Sequence, residues 1–246
     1  MIFGRFSKET PKSFLLACPF IIYFISFALP PILILQSLTS IDPDHSREIG
    51  GVFAVFAQLM SISAALAGVI GQGLLSAGTH AFGSNNIKRL IHLFLWSLLI
   101  ELVLGTLFSL SIVFFKKPIA KLFISDESEV EFAIKMIPIP FYSSVIQNIT
   151  TVCMSFLIII GKPLFAVVQV STNVILLCSG CKILAHFLKN DPIKVMHVYN
   201  LADLSMLVVT ALLMIIPIKF IVAKSKDTLT THQDNLTKVL IEDSLA

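Results

Sequence analysis

The reading of the chain turns on Ala67-Gly-Val-Ile-Gly71-Gln-Gly-Leu-Leu-Ser76-Ala-Gly78-Thr-His80-Ala-Phe-Gly83-Ser-Asn-Asn86-Ile-Lys-Arg-Leu90. A long apolar run breaks here into a compact polar hinge, and hydrophobicity then resumes. Ala67, Gly71, Gly78 and Ala81 are small residues on one helix, spaced so that another backbone can approach closely. Gly83-Ser84-Asn85-Asn86 is turn chemistry, because Gly and Asn tolerate the left-handed conformation that stops a helix. Lys88 and Arg89 then set positive charge just beyond the apolar segment, as a cytoplasmic loop of a membrane protein does.

Composition agrees with a bilayer as solvent. Of 246 residues, 56% are hydrophobic and 13% charged, with a mean hydropathy of +0.89. Soluble domains hold about 45–50% apolar residues, and a membrane span needs roughly 20 in a row. The formal charge of +3 is too small to suggest nucleic acid. Cys18, Cys153, Cys178 and Cys181 all fall in apolar runs, where free Cys acts as a small hydrophobe. Cys178-x-x-Cys181 has no second pair beside it and reads as helix packing.

Taken in order, the chain divides into a basic N-terminus (1–12), a membrane domain (13–222) and a polar tail (223–246). The first span, Ser13 to Leu38, is too long for a signal core and carries Pro19, Pro30 and Pro31. Ile41 to Gly50 reads as a polar loop. The second span, Gly51 to Thr79, has no charge, and the third, Leu90 to Phe115, carries Glu101. Ile119 to Val130 reads as an amphipathic surface segment followed by an acidic helix start, which Ser125 or Asp126 can cap. The fourth span runs from about 132 to 160. Gly161-Lys162-Pro163 stops it and opens the fifth, because Gly ends helices and Pro suits a first turn. Lys189-Asn190-Asp191-Pro192 turns the chain into the sixth, Val195 to Val222. The tail reads as polar, with a short amphipathic turn near 236–241. All-α, polytopic, six spans: that is the expected fold. Six spans put both termini on one side, and ten of the basic residues share that side against eight on the other, a slight positive-inside bias.

Three landmarks bear on a family. Thr79-His80-Ala81-Phe82-Gly83-Ser84-Asn85-Asn86 resembles the end of the second helix in multidrug and toxic compound extrusion (MATE) transporters, with His80 where Gln is usual. The amphipathic segment before Asp126-Glu127-Ser128-Glu129-Val130, and the Gly161-Lys162-Pro163 connection, resemble that family at the corresponding places, and Pro19 fits its first helix. The resemblance spans about residues 10–225 and covers one of the family's two lobes. It implies cytoplasmic termini and transport by alternating access as two lobes rock about a central cavity.

No nucleophile–base pair, phosphate loop or metal cluster stands out, so an enzyme is not expected. The six histidines are dispersed near span ends, where His is commonly a boundary residue. The informative residues are polar groups at bilayer depth. At 1.5 Å per residue, Glu101 lies about 16 Å along helix three from Leu90, and Asn173 about 15 Å along helix five from Pro163. Both come near the middle of a core about 30 Å thick. Gln147 and Asn148 reach similar depth on helix four. An ionised carboxylate in hydrocarbon is costly, so Glu101 should be protonated, paired or wet. The competing reading is a neutral acid in an interhelical hydrogen bond. Asp203, early in helix six, is expected to snorkel to the interface.

The resemblance adds that Asn173 matches the Asn of an Asn–Asp pair lining the N-lobe cavity of prokaryotic relatives, while Leu177 stands at the Asp position. The acid those relatives carry on helix one is also missing, and Gln36 lies in its neighbourhood. The site residues expected are therefore Glu101, Asn173, Gln147 and Asn148, and the only cofactor implied is a coupling ion, H+ or Na+. The expected function is cation-coupled efflux of small organic, cationic compounds. The expected partners are the lipid bilayer and either a second copy of the chain or a separately encoded second lobe, which the small residues of helix two would help to pack. A truncated, non-transporting lobe, acting as a membrane interaction partner or surviving as a degenerate gene product, is the alternative. A flippase for lipid-linked saccharides is a further one, disfavoured because Glu, Asn and Gln rather than basic residues lie near the midplane.

Overall fold

A computed structural model describes residues 10–188 and 191–245. The first nine residues and Lys189-Asn190 of the fifth-to-sixth turn lie outside the described residues. The elements, all helical, are α1 (Thr10–Ile41), α2 (Ser46–Gly83), α3 (Ile87–Phe114), α4 (Lys116–Phe123), α5 (Glu127–Met136), α6 (Pro138–Phe141), α7 (Ser144–Ile159), α8 (Pro163–Phe187), α9 (Pro192–Val195) and α10 (His197–Leu245). Six stretches are long and apolar enough to cross a membrane, with α5 to α7 jointly making the fourth. The protein is an integral, multi-pass, all-α membrane protein.

The helix ends follow the local chemistry. Asn85 takes the left-handed conformation (φ 57°) that closes α2, and Asn86 caps α3 by accepting from the Arg89 N–H at 3.1 Å. Asp126 caps α5, accepting from the Ser128 N–H at 2.9 Å. Gly161 has φ 74° and Pro163 opens α8, so the Gly–Pro punctuation works as its residue types require.

Three boundaries differ from the sequence expectations. The loop after α1 is only 42–45, because α2 already starts at Ser46. The fourth span is not one helix. Pro138 and Pro140 lack the N–H groups a continuous helix needs, and the chain breaks into α5, the single turn α6, and α7. The helix of the sixth span does not end at Val222, since α10 continues to Leu245.

Helix α7 is the axis of the bundle, packed by α2, α3, α8 and α10. From Thr150 to Ile159 it is buried on every side. Ala67, Gly71, Gly78 and Ala81 are all buried on α2. A Cβ at Gly71 would stand 2.8 Å from Ser155 Oγ, and one at Gly78 would stand 2.7 Å from Ile159 Cδ1. The small residues thus bring α2 onto α7 within the bundle. Consumed there, they are not free to pack a second copy, contrary to the expectation from the sequence.

Two apolar cores result. One joins Phe56, Phe141 and Met136 with Ile34, Leu38, Leu177 and Tyr199. The other joins Leu74, Leu90, Val152 to Ile160 and Ala166. Because successive spans run in opposite directions, these sets lie at opposite ends of the bundle, and polar side chains lie between them.

Candidate functional site

The polar layer is built from side chains that the helix period brings inward. Glu101, Gly105 and Ser109 stand four apart on one face of α3, all buried. Ser144, Asn148, Thr151 and Ser155, three or four apart, likewise share a buried face of α7. Where these faces meet, Glu101 is 0% exposed and Asn148 3%. The Asn148 Nδ2 donates to Ser63 Oγ of α2 at 3.1 Å. Gly105 leaves room for both groups, since a Cβ there would come 3.2 Å from Asn148 Nδ2 and 3.4 Å from Glu101 Oε1. Neither Glu101 oxygen has a hydrogen-bond partner of ordinary geometry among the described residues. No lysine, arginine or histidine among the described residues forms an ion pair with it, and a buried carboxyl left so is costly.

Gln147, next along α7, points about 100° away and faces a different space. It lines a small cleft, of about 20 Å³, with Asn173, Tyr23, Thr150, Thr151 and Gln169. Gln169 is buried, and its Nε2 donates to the Thr150 carbonyl at 2.8 Å and to Thr210 Oγ1 at 3.1 Å. The four residues singled out in the sequence therefore fall into two places. Glu101 and Asn148 meet behind α7, while Gln147 and Asn173 meet in the cleft in front of it. Leu177 packs in the first apolar core, so no carboxyl takes part in the cleft from that position.

Asp203 corrects the sequence reading. It is 5% exposed and does not snorkel. Its Oδ2 lies 2.6 Å from Ser143 Oγ, in the break between α6 and α7. The break supplies the hydroxyl that draws the carboxyl inward, and nothing in the linear pattern marks Ser143 as that partner. Ser109 and Ser144 meet nearby at 2.8 Å. Sequence reasoning also passed over Ser63, Gln169 and Thr210. The four-residue spacing of Glu101, Gly105 and Ser109 was the available signal for the α3 face.

The outer face of α2 is equally distinctive. Gln58, Ser61, Ala65, Gln72, Ser76 and Thr79 are exposed along it at helical spacing. The Ser and Thr hydroxyls return to their own backbone carbonyls, but the two Gln amides lie open. With Tyr23 and Phe24 of α1, this face forms a shallow groove. The exposed faces of α3 and α10 carry Leu, Ile, Val and Phe instead.

Six apolar spans thus enclose a layer of buried polar groups, with the fourth span broken between α5 and α7. The chain belongs to the MatE family, whose model matches residues 45–188. Among solved structures, it is similar to a MATE protein crystallised in complex with MaL6, with a TM-score of 0.76 at 15% identity. The match covers 89% of this chain and 49% of that one, so the chain spans about half the length of that structure. No curated protein matches the sequence.

Proposed function

We propose that this chain forms one wall of a MATE-type carrier that exchanges a coupling cation, H+ or Na+, for small organic cations by alternating access. The observation that carries the reading is Glu101, wholly buried near the midplane beside the Asn148 amide, its oxygens without a hydrogen-bond partner of ordinary geometry or a countercharge among the described residues. A carboxyl so placed gains from taking up a cation, and it would do so only in a conformation that opens a path to it. The cleft lined by Gln147 and Asn173 is the neutral, hydrogen-bonding surface that faces the organic substrate. The open amides of Gln58 and Gln72 support a second body, or a water-filled space between two bodies, against α2. Lipid could not satisfy them.

Glu101→Gln keeps the size and much of the hydrogen bonding but removes the ionisable group. In proteoliposomes, gradient-driven uptake of an organic cation is expected to fall at least about tenfold, a loss of about 1.4 kcal/mol, with folding retained. Full coupled uptake by the Gln variant would contradict the assignment.

A further inference from the structure

The strongest group that the proposed function leaves unused is the hydrogen-bond chain at the break of the fourth span. Four side chains follow one another from the interior to the surface. Asp203 Oδ2 lies 2.6 Å from Ser143 Oγ, Ser143 Oγ lies 2.7 Å from Asn200 Oδ1, and Asn200 Nδ2 lies 3.3 Å from His197 Nδ1. Asp203 and Ser143 are buried, Asn200 is half-buried and His197 is exposed.

Hydrogen counting makes the chain informative. Ser143 faces two oxygens at short distance and has one hydrogen to give. An ionised Asp203 and an Asn200 carbonyl oxygen would leave one of these contacts without a proton. Two arrangements satisfy every member, because the Asn200 amide has two orientations of nearly equal shape. In the first, His197 Nδ1–H donates to Asn200 Oδ1, Asn200 Nδ2–H donates to Ser143 Oγ, and Ser143 O–H donates to the Asp203 carboxylate. In the second, every bond is reversed. The Asp203 O–H donates to Ser143, Ser143 donates to Asn200 Oδ1, and Asn200 Nδ2–H donates to the His197 Nδ1 lone pair.

From this geometry we propose that Asp203, Ser143, Asn200 and His197 form a proton-binding site at the α6–α7 break, in which a proton resides on either the carboxyl or the imidazole. Going from the first arrangement to the second, Asp203 gains one proton and an imidazolium at His197 loses its Nδ1 proton. The amide turns over and carries none, and no other reactant enters. The site stands apart from Glu101 and does not rest on the role proposed for it. Among the described residues, no lysine, arginine or further carboxylate is hydrogen-bonded to it. Helix α10 brings Tyr199, whose buried hydroxyl has no hydrogen-bond partner, and α8 brings Cys181. Lys194 of α9 pairs with Asp191 at 3.2 Å. The α3 face brings Ser109, with Glu101 eight residues deeper, and α6 and α7 bring only uncharged groups.

Infrared difference spectra of the full chain in lipid discs, recorded as pH is stepped, report the carboxyl of Asp203 directly. The band is assigned by 13C-aspartate labelling and by its disappearance in Asp203→Asn. His197→Ala, a change at an exposed position, removes the competing imidazolium. It is expected to move the midpoint of the Asp203 band upward by about one pH unit, the scale of a coupled pair. In a Ser143→Ala background the link is cut, and the same His197→Ala change should leave the midpoint where it is. If Asp203→Asn does not fold, the His197 and Ser143 variants still read the native Asp203 through its isotope shift. A midpoint unmoved by His197→Ala, an equal shift with and without Ser143, or an Asp203 band that does not titrate would each overturn the proposal.

Discussion

His45 and Asp42, in the loop between α1 and α2, show at the smallest scale how a pair of charged groups can be read. His45 Nδ1 lies 3.0 Å from the Asp42 carboxyl, and the His45 N–H donates to it as well. The hydrogen bond and charge of Asp42, with Glu48 adding, hold the imidazole above its ordinary range. The same hydrogen bond holds the Asp42 carboxyl below its own. The raised His45 supports the loop fully below the ordinary histidine value, and that support is lost as pH rises through the raised one. The lowered Asp42 supports it above the ordinary carboxyl value and loses it as pH falls through the lowered one. The pair thus holds between those limits. An NMR titration of labelled His45 should give a midpoint above that of a free imidazole, and Asp42→Asn should bring it down. An unchanged midpoint in the Asn variant would refute the pairing. The buried residues were less legible. Glu101 was visible in the sequence because a carboxyl in an apolar run has few bland explanations. Asp203 was misjudged because its nearness to a span end suggested the interface, while its real partner, Ser143, lies sixty residues away in a helix break.

Helix α2 is the element whose two faces differ most in what they meet. Its small residues, read correctly as a close-packing stripe, meet α7 of the same bundle. A larger side chain at Gly71 or Gly78 has to displace Ser155 or Ile159 and Leu90, whereas Gly68 and Gly73 have nothing within 4 Å. Gly71→Val and Gly78→Val are therefore expected to destabilise the protein by about 1–3 kcal/mol, as overpacking does. Gly68→Val and Gly73→Val should change little beyond helix propensity. Thermal unfolding of the four variants in one detergent checks this, and equal losses at all four would show that α2 does not rest on α7 as described. The six spans and their caps were legible because length, hydropathy and turn residues are local signals. The break in the fourth span was not legible, since 132–160 reads as one span with Pro138 and Pro140 near its start, whereas the chain forms α5, α6 and α7. The division of Gln147 from Asn148 was not legible at all, since it is set by the rotation of a helix among four neighbours.

At the scale of the whole molecule, the polar layer between the two apolar cores is closed on most sides by the bundle and by lipid-facing Leu, Ile, Val and Phe. The outer face of α2 mixes exposed Gln58, Ser61, Gln72, Ser76 and Thr79 with Ile62 and Val69, next to the groove shared with Tyr23 and Phe24 of α1. A carrier needs a second body there, because one lobe supplies one wall and alternating access requires two. A chain with an even number of spans and its copy insert the same way up, so two copies could supply both walls with two-fold symmetry. The measurement that tests this most directly is uptake resolved by the number of chains per vesicle. Purified protein is reconstituted at falling protein-to-lipid ratios, chains are counted by single-molecule bleaching, and uptake of an organic cation is followed in the same vesicles. Uptake confined to vesicles holding two or more copies, or a copy together with a separately supplied second lobe, is the expected result. Substrate-specific uptake in vesicles that hold a single chain would contradict it.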